Sequence, residues 1–520
     1  MNRNLPGEQR PLSAKIIRNV LFGGLRLLLI APIPLILTPL ILSRIGVKGY
    51  GTWAIFLAIS NMTSLADLGL VGTVSKYVAE YHSRRDFPAL DRLLNTGFAL
   101  FGLLSIVLAL LLWIGSSFIV PLVFRDSAVE LPELVALFRF FLIVIVANVM
   151  TLLFSSVSSG LQRLDLTNMM STFNILFAAV LGGFLVFRGW GLRGLIYGQI
   201  CSTVLTALIY LVIVRRLLPQ ILFNPLRVDV TEARKIFSFS LQLYLTQAAV
   251  AVHNQIEKIF LALFIGVGAA GLYDIASDLA LKIRGVIGLL LGPVLPAASE
   301  LSALRDEYRL KELYYRVHKY LAFVGVPIVC YVAAISTRFV DLWIGPNLRI
   351  VALPLSVLLV VNFLNLATGP GFLIFAGTGY LRPGMLSALL GIILNFVVSL
   401  VLIYRFGLAG AVVGTAISLL VASAFFMYLF HRRTGYEVGR LLRESYVKPV
   451  ICSLVLLGAW VAIRPEKDSS WAGLFAGGLA FGGVYVVTLL FSRFFDRFDW
   501  DKVENFVPLL RYARRIVPVA

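Results

Sequence analysis

Residues 45–55 read IGVKGYGTWAI, and residues 265–275 read IGVGAAGLYDI. At this offset of 220 positions Ile45, Gly46, Val47, Gly51 and Ile55 recur as Ile265, Gly266, Val267, Gly271 and Ile275, and Trp53 is matched by the aromatic Tyr273. The register persists downstream, where Gly72, Glu80, Arg85 and Asp86 fall on Gly292, Glu300, Arg305 and Asp306. An apolar chain supplies chance matches of Leu and Gly, but not of Glu, Arg and Asp at fixed spacing. A second block, at an offset of 216, pairs Gly191, Leu192, Gly194, Gly198 and Ser202 with Gly407, Leu408, Gly410, Gly414 and Ser418. Two blocks that agree on one period point to a single internal duplication of nearly 220 residues.

What is duplicated is set by composition. Of 520 residues 59% are hydrophobic and 14% charged, against about 25% charged in an ordinary soluble domain. A spanning helix needs about 20 mainly apolar residues. Nine intervals without Asp, Glu, Lys or Arg meet this length, among them 93–124, 140–162, 350–381 and 406–431. They are the third to sixth, ninth to twelfth and fourteenth of about fourteen predicted spans. Segments 17–42, 49–78, 236–265, 269–295 and 446–463 supply the first, second, seventh, eighth and thirteenth. Each repeat then holds six spans, and an even number makes the two halves parallel in the membrane. The expected fold is an all-α integral membrane protein with an N-lobe at 1–217, a C-lobe at 218–434, and a last helix pair with a tail at 435–520.

The formal net charge of +19 is explained by topology. With the N-terminus inside, cytoplasmic segments hold 31 Lys and Arg, external loops 10 and the spans 5, as cytoplasmic loops are rich in basic residues. Both termini are therefore expected in the cytoplasm, and nucleic acid is not an expected partner. The basic segment before the first span resembles a signal peptide only in charge. Its length, its prolines and the lack of a small-residue cleavage site keep it as a helix. Cys201, Cys330 and Cys452 lie inside apolar runs without metal-ligand spacing, so no disulfide, metal or cofactor is expected. Short external loops, the lack of a GxxxxGK[ST] motif and the lack of an acid and histidine cluster argue against an enzyme, including a membrane-embedded glycan polymerase or ligase.

Ile45-Gly46-x-x-Gly49-Tyr50-Gly51 followed by Asp67-Leu68-Gly69-Leu70, and Glu257-Lys258 followed by Gly271-x-Tyr273-x-x-Ala276, resemble the polysaccharide transporter family of Wzx-type O-antigen flippases. That family belongs to the multidrug/oligosaccharidyl-lipid/polysaccharide flippase superfamily. The resemblance implies two lobes around a central cavity, alternating access in the bacterial cytoplasmic membrane, and an undecaprenyl-diphosphate-linked glycan as cargo. Membrane lipids and other membrane proteins of polysaccharide assembly are the further partners considered. An ion-coupled multidrug or organic-cation antiporter shares the fold and is the alternative reading.

Charges inside spans bear on the cargo independently, since an ionisable side chain there costs about 2.5–3.5 kcal/mol and normally faces a polar interior. Arg26, Arg139, Lys258, Lys282 and Arg284 form the expected cationic cavity, suited to a diphosphate and unsuited to a cationic drug. Arg26 also fits snorkelling to headgroups, and Arg139 fits an interface anchor. On the eighth span Asp274, Asp278, Lys282 and Arg284 share one half of the helix circumference, and Asp278 precedes Lys282 by four residues, the favourable order for an ion pair. Asp274 and Asp278 thus read either as neutralising partners of Lys282 and Arg284 or as groups coupling transport to a proton or sodium gradient. One turn apart on the seventh span, Glu257 reads as an ion-pair or coupling residue, and His253 as a hydrogen-bonded core residue or a proton relay.

Overall fold

The computed structural model describes residues 30, 32–62, 70–221, 224, 227–235, 255–463, 470–496 and 498–500. Arg26, His253 and Asp67 lie outside the described residues. Helix is the only regular secondary structure among the described residues, which contain no strand. The helices are α1 (Pro32–Asn61), α2 (Leu70–Ser83), α3 (Phe87–Val123), α4 (Leu131–Gly160), α5 (Leu164–Leu185) and α6 (Gly191–Leu217) in the first repeat. The second holds α7 (255–264), α8 (Val267–Gly288), α9 (Val294–Ala303), α10 (Glu307–Trp343), α11 (Ala352–Leu366), α12 (Gly369–Gly377) and α13 (Arg382–Thr434). The last pair is α14 (Lys448–Ile463) and α15 (Trp471–Phe491).

Nine helical runs among the described residues are long and apolar enough to cross a membrane. Two of them, Leu164–Leu217 and Arg382–Thr434, have 54 and 53 residues. At 1.5 Å per residue each is about 80 Å long, more than twice a hydrocarbon core of about 30 Å. Each is broken by a glycine, Gly191 (φ 52°, ψ −134°) and Gly407 (φ 57°, ψ −129°), so each is two spans. That backbone conformation is open only to a residue without Cβ. A further break at Gly46 divides α1 between the first and second spans. With these breaks the described helices are roughly consistent with a count of fourteen, while much of the first and seventh spans read from the sequence lies outside the described residues.

The duplication is written into the backbone. Helices α3 and α10 have 37 residues each and begin and end 220 positions apart. Asp86 and Asp306 cap them identically, each carboxylate accepting from the N–H three residues on at 3.0 Å. Just before these caps, Arg85 (φ 57°) and Arg305 (φ 54°) take the left-handed conformation. Asp86 and Asp306 then donate their N–H groups to Tyr81 and Leu301, the 6→1 closure that ends a helix. Gln162 and Gly379 repeat that closure at the ends of α4 and α12. Of the twelve positive-φ positions among the described residues, eight fall into repeat pairs: 46 with 266, 85 with 305, 162 with 379, and 191 with 407. Hydrophobic bias alone does not match backbone conformations in this way.

Packing divides the chain into two compact units, residues 1–274 with 399–411 and residues 275–398 with 412–520. The first is centred on Leu90, Leu94, Val149, Val157 and Tyr210. The second has an aromatic core of Tyr314, Phe375, Phe426 and Phe430, and a smaller one where Tyr485, Leu489 and Phe494 meet Cys452. The units do not follow the repeat, because residues 255–274 of the second copy pack within the first unit. Surfaces are inverted relative to a soluble protein. On α3, Leu103, Ile106, Leu110, Ile114 and Phe118 are exposed at helical spacing while Ser105 and Ser116 are buried, the arrangement expected of a helix facing lipid.

Candidate functional site

The block that decides the fold also builds the site. A Cβ placed on Gly51 would lie 1.8 Å from the carbonyl oxygen of Val267, and one on Gly271 would lie 2.8 Å from the Cα of Gly51. The two repeat-equivalent glycines therefore face each other, backbone against backbone, where α1 crosses α8. Consecutive residues after α3 hold the helix ends beside this crossing. Arg125 donates to the carbonyl of Phe264 at the end of α7 (2.8 Å), and Asp126 accepts the N–H of Val267 at the start of α8 (2.8 Å). A cation at a helix C-terminus and an anion at an N-terminus both complement the helix dipole. Lys48 adds a looser contact to Asp126 at 3.8 Å.

This crossing predicts a large effect from the smallest substitution. G51A is expected to destabilise the protein by about 1–3 kcal/mol, because a methyl group cannot share space with the Val267 carbonyl. G102A, where a Cβ meets nothing within 4 Å, serves as the control. Thermal unfolding of the two variants in detergent checks this, and equal melting temperatures would remove the crossing as a close-packed contact.

One turn further along α8, still within the first unit, Asp274 accepts from the Tyr50 hydroxyl (3.0 Å) and pairs with Lys258 of α7 (2.5 Å). Lys258 also donates to Gln255 (3.3 Å), and Glu257 beside it is 1% exposed. The side chains of Lys258 and Asp274 are each 12% exposed, so removing one partner alone would leave a charge with little access to water, typically a loss of about 3–5 kcal/mol.

The second unit holds the rest of α8. Asp278 and Lys282 pair at 2.6 Å, as their spacing predicts. Arg284 differs. It donates to the neutral amide oxygen of Asn365 (2.9 Å), which is oriented by its own donation to Ser423 (3.0 Å). Its Nε is shielded from solvent and has no hydrogen-bond partner among the described residues. No carboxylate among the described residues pairs with Arg284, whereas Lys258 and Lys282 are both neutralised. The expectation that Asp274 neutralises Lys282 or Arg284 is corrected here. Asp274 turns to a different helix, because Lys258 and Tyr50 meet it from elements the spacing of α8 says nothing about.

The contacts of Arg139 are with a single helix of the first unit. Arg139 donates to Ser116 (2.9 Å) and Ser117 (3.1 Å) and lies over the ring of Trp113 at 4.7 Å, all on α3. Trp113 is itself exposed. Sequence reasoning missed Tyr50 and Asn365. Tyr50 stands in the first-repeat motif, but the duplication gave it no role, since its repeat equivalent is Ala270. Asn365 gave one: with Asn362 it puts two amides a turn apart in an otherwise apolar run.

Comparison with known proteins agrees with this architecture. Residues 16–302 match the model of a family described as "Polysaccharide biosynthesis protein". The chain is 23% identical over 398 residues to a Shigella flexneri protein described as "Putative O-antigen transporter", covering 75% of this chain and 91% of that one. In fold it is similar to the inward closed conformation of the lipid II flippase MurJ, with a TM-score of 0.71 at 15% identity, over 92% of this chain and 97% of that chain. It is also similar to the inward-facing conformation of a multidrug resistance MATE family transporter of the MOP superfamily, with a TM-score of 0.62 at 15% identity, over 81% of this chain and 98% of that chain. With a family match over more than half its length, the chain belongs to the polysaccharide biosynthesis protein family, and its fold is that of the lipid II flippase MurJ.

Proposed function

We propose that this protein moves an undecaprenyl-diphosphate-linked oligosaccharide from the cytoplasmic to the external leaflet of the bacterial cytoplasmic membrane, for assembly of an O-antigen, capsule or exopolysaccharide. The observation that carries the reading is Arg284. An arginine inside an apolar span, held by a neutral amide, keeps its charge for an anion that arrives from elsewhere. Its forked donors fit the oxygens of a phosphate. A site for organic cations needs the converse, an uncompensated carboxylate, yet Asp274 and Asp278 are engaged by Lys258 and Lys282. In this reading those two acids are ion-pair partners, residues 1–217 and 218–434 are the lobes that rock, and both termini are cytoplasmic.

Reconstitution tests the cargo directly. Proteoliposomes of the purified protein are expected to carry a fluorescent polyprenyl-diphosphate oligosaccharide between leaflets, with unlabelled lipid-linked glycan competing and a fluorescent organic cation left unmoved. Transport of the cation without movement of the lipid-linked glycan would replace this reading with that of a drug antiporter.

A further inference from the structure

Away from α8, the second unit has a half-open cavity of about 470 Å³ between the first turns of α10, the segment leading into α14, and the chain after α15. Six cations line it: Arg316, Lys319, Arg440, Arg443, Lys448 and Arg493. The acids around it are committed to half of these. Arg440 pairs with Glu312 (2.9 Å) and Glu444 (3.0 Å), Arg316 with Asp496 (3.1 Å), and Lys319 with Asp499 (2.5 Å). Lys448 donates to the carbonyls of Ser492 and Arg493, both at 2.8 Å, and no carboxylate among the described residues pairs with it. Arg443 and Arg493 are exposed and have no ion pair among the described residues.

The local backbone serves this arrangement. Arg443 sits in the π-helical segment Leu442–Val447, a wide turn of the kind found mostly at functional sites. Arg493 takes a left-handed conformation (φ 54°) beyond the end of α15, where glycine or asparagine is the usual residue. The paired cations are also buttressed by aromatic rings, Arg316 over Phe498 at 4.0 Å and Arg440 over Tyr315 at 4.3 Å, so the rim is held in place before any ligand arrives.

We propose that this cavity is a second anion site, one that binds a phosphate group through Arg443, Arg493 and Lys448. Three cations that no carboxylate among the described residues pairs with repel each other in one half-open cavity unless an anion sits among them, and the volume accommodates a phosphate with a small polar substituent. Loop charge places these ends of the spans at the cytoplasmic headgroup level. The phosphate therefore comes either from an anionic phospholipid headgroup or from a soluble phosphate compound. The proposal does not depend on what α8 binds.

The test uses the full-length protein and R443Q/R493Q. Inorganic pyrophosphate is titrated calorimetrically against protein in neutral detergent, and retention of phosphatidylglycerol against phosphatidylcholine is read by native mass spectrometry from nanodiscs. Wild type is expected to bind in at least one arm, and R443Q/R493Q to bind at least about tenfold more weakly in that arm, since each lost charge-assisted hydrogen bond weakens the complex by that order. Loss in the pyrophosphate arm identifies a soluble phosphate as the ligand, and loss confined to the lipid arm identifies the headgroup. R443K/R493K, which keeps both charges, is expected to retain most of the binding, and it answers for any general harm done by substitution at these positions. Wild type that prefers neither probe over chloride or phosphatidylcholine, or R443Q/R493Q with wild-type affinity in both arms, would overturn the site.

Discussion

A disulfide between cysteines at Val47 and Gly268 is expected to stop transport, and its reduction to restore it. A Cβ built on Gly268 lies 3.9 Å from Cγ1 of Val47, so the two side-chain positions meet across the turns, and a disulfide is expected to need only a small backbone adjustment. The two residues belong to equivalent turns of the two repeats, and the Gly51–Gly271 crossing holds those turns together. Alternating access requires such a contact to break once in each cycle. A covalent tie there traps one state, so the effect is loss of activity and not partial slowing. V47C and G268C alone serve as controls, since each leaves the turns free to part. Efficient cross-linking, seen as a mobility shift on a non-reducing gel after cleavage of an engineered protease site between the repeats, together with undiminished transport would show that these turns need not separate.

Arg284→Gln is expected to lower export at least tenfold, with lipid-linked repeat units accumulating in the membrane. The substitution removes a charged donor that no carboxylate among the described residues neutralises, and a charge-assisted hydrogen bond to phosphate contributes about 1.5–3 kcal/mol, or roughly 10- to 100-fold in binding. Arg284→Lys is expected to recover only part of the activity, since lysine keeps the charge but loses the fork. Lys282 gives the contrast. Read from sequence it holds phosphate alongside Arg284, but its pairing with Asp278 makes it a poorer donor to an incoming anion. K282Q/D278N, which removes both members of the pair and strands neither charge, is expected to stay close to wild type. Surface polysaccharide at matched expression is the readout. Full complementation by R284Q would take Arg284 out of the transport path.

A great deal of this protein is determined by local chemistry and was legible in one dimension. Charge-free intervals of spanning length locate the helices because a bilayer admits almost nothing else across its core. The recurring IGVxxxG block and the Arg85-Asp86 and Arg305-Asp306 pairs reported the duplication because helix ends are fixed by the residues at them, and the same closures and caps appear in both copies. The Asp278–Lys282 pair was legible for the same reason, since a separation of four residues sets the distance on any α-helix.

Contacts between distant segments were decided only by the tertiary structure. Asp274 shares a helical face with Lys282 and Arg284, yet its partners are Lys258 on the preceding helix and Tyr50, 224 residues away. Helices pack in several registers of similar energy, so the sequence of one says which face is polar and not what that face meets. Gly51 and Gly271 are matched positions of the repeat in sequence, but only packing shows that each is the other's neighbour. The distinction between a neutralised Lys282 and an unneutralised Arg284 is of the same kind. Both are cations in one apolar span, and what separates them is that a carboxylate lies one turn away on the same helix for the first, while the second reaches the amide of Asn365 on another.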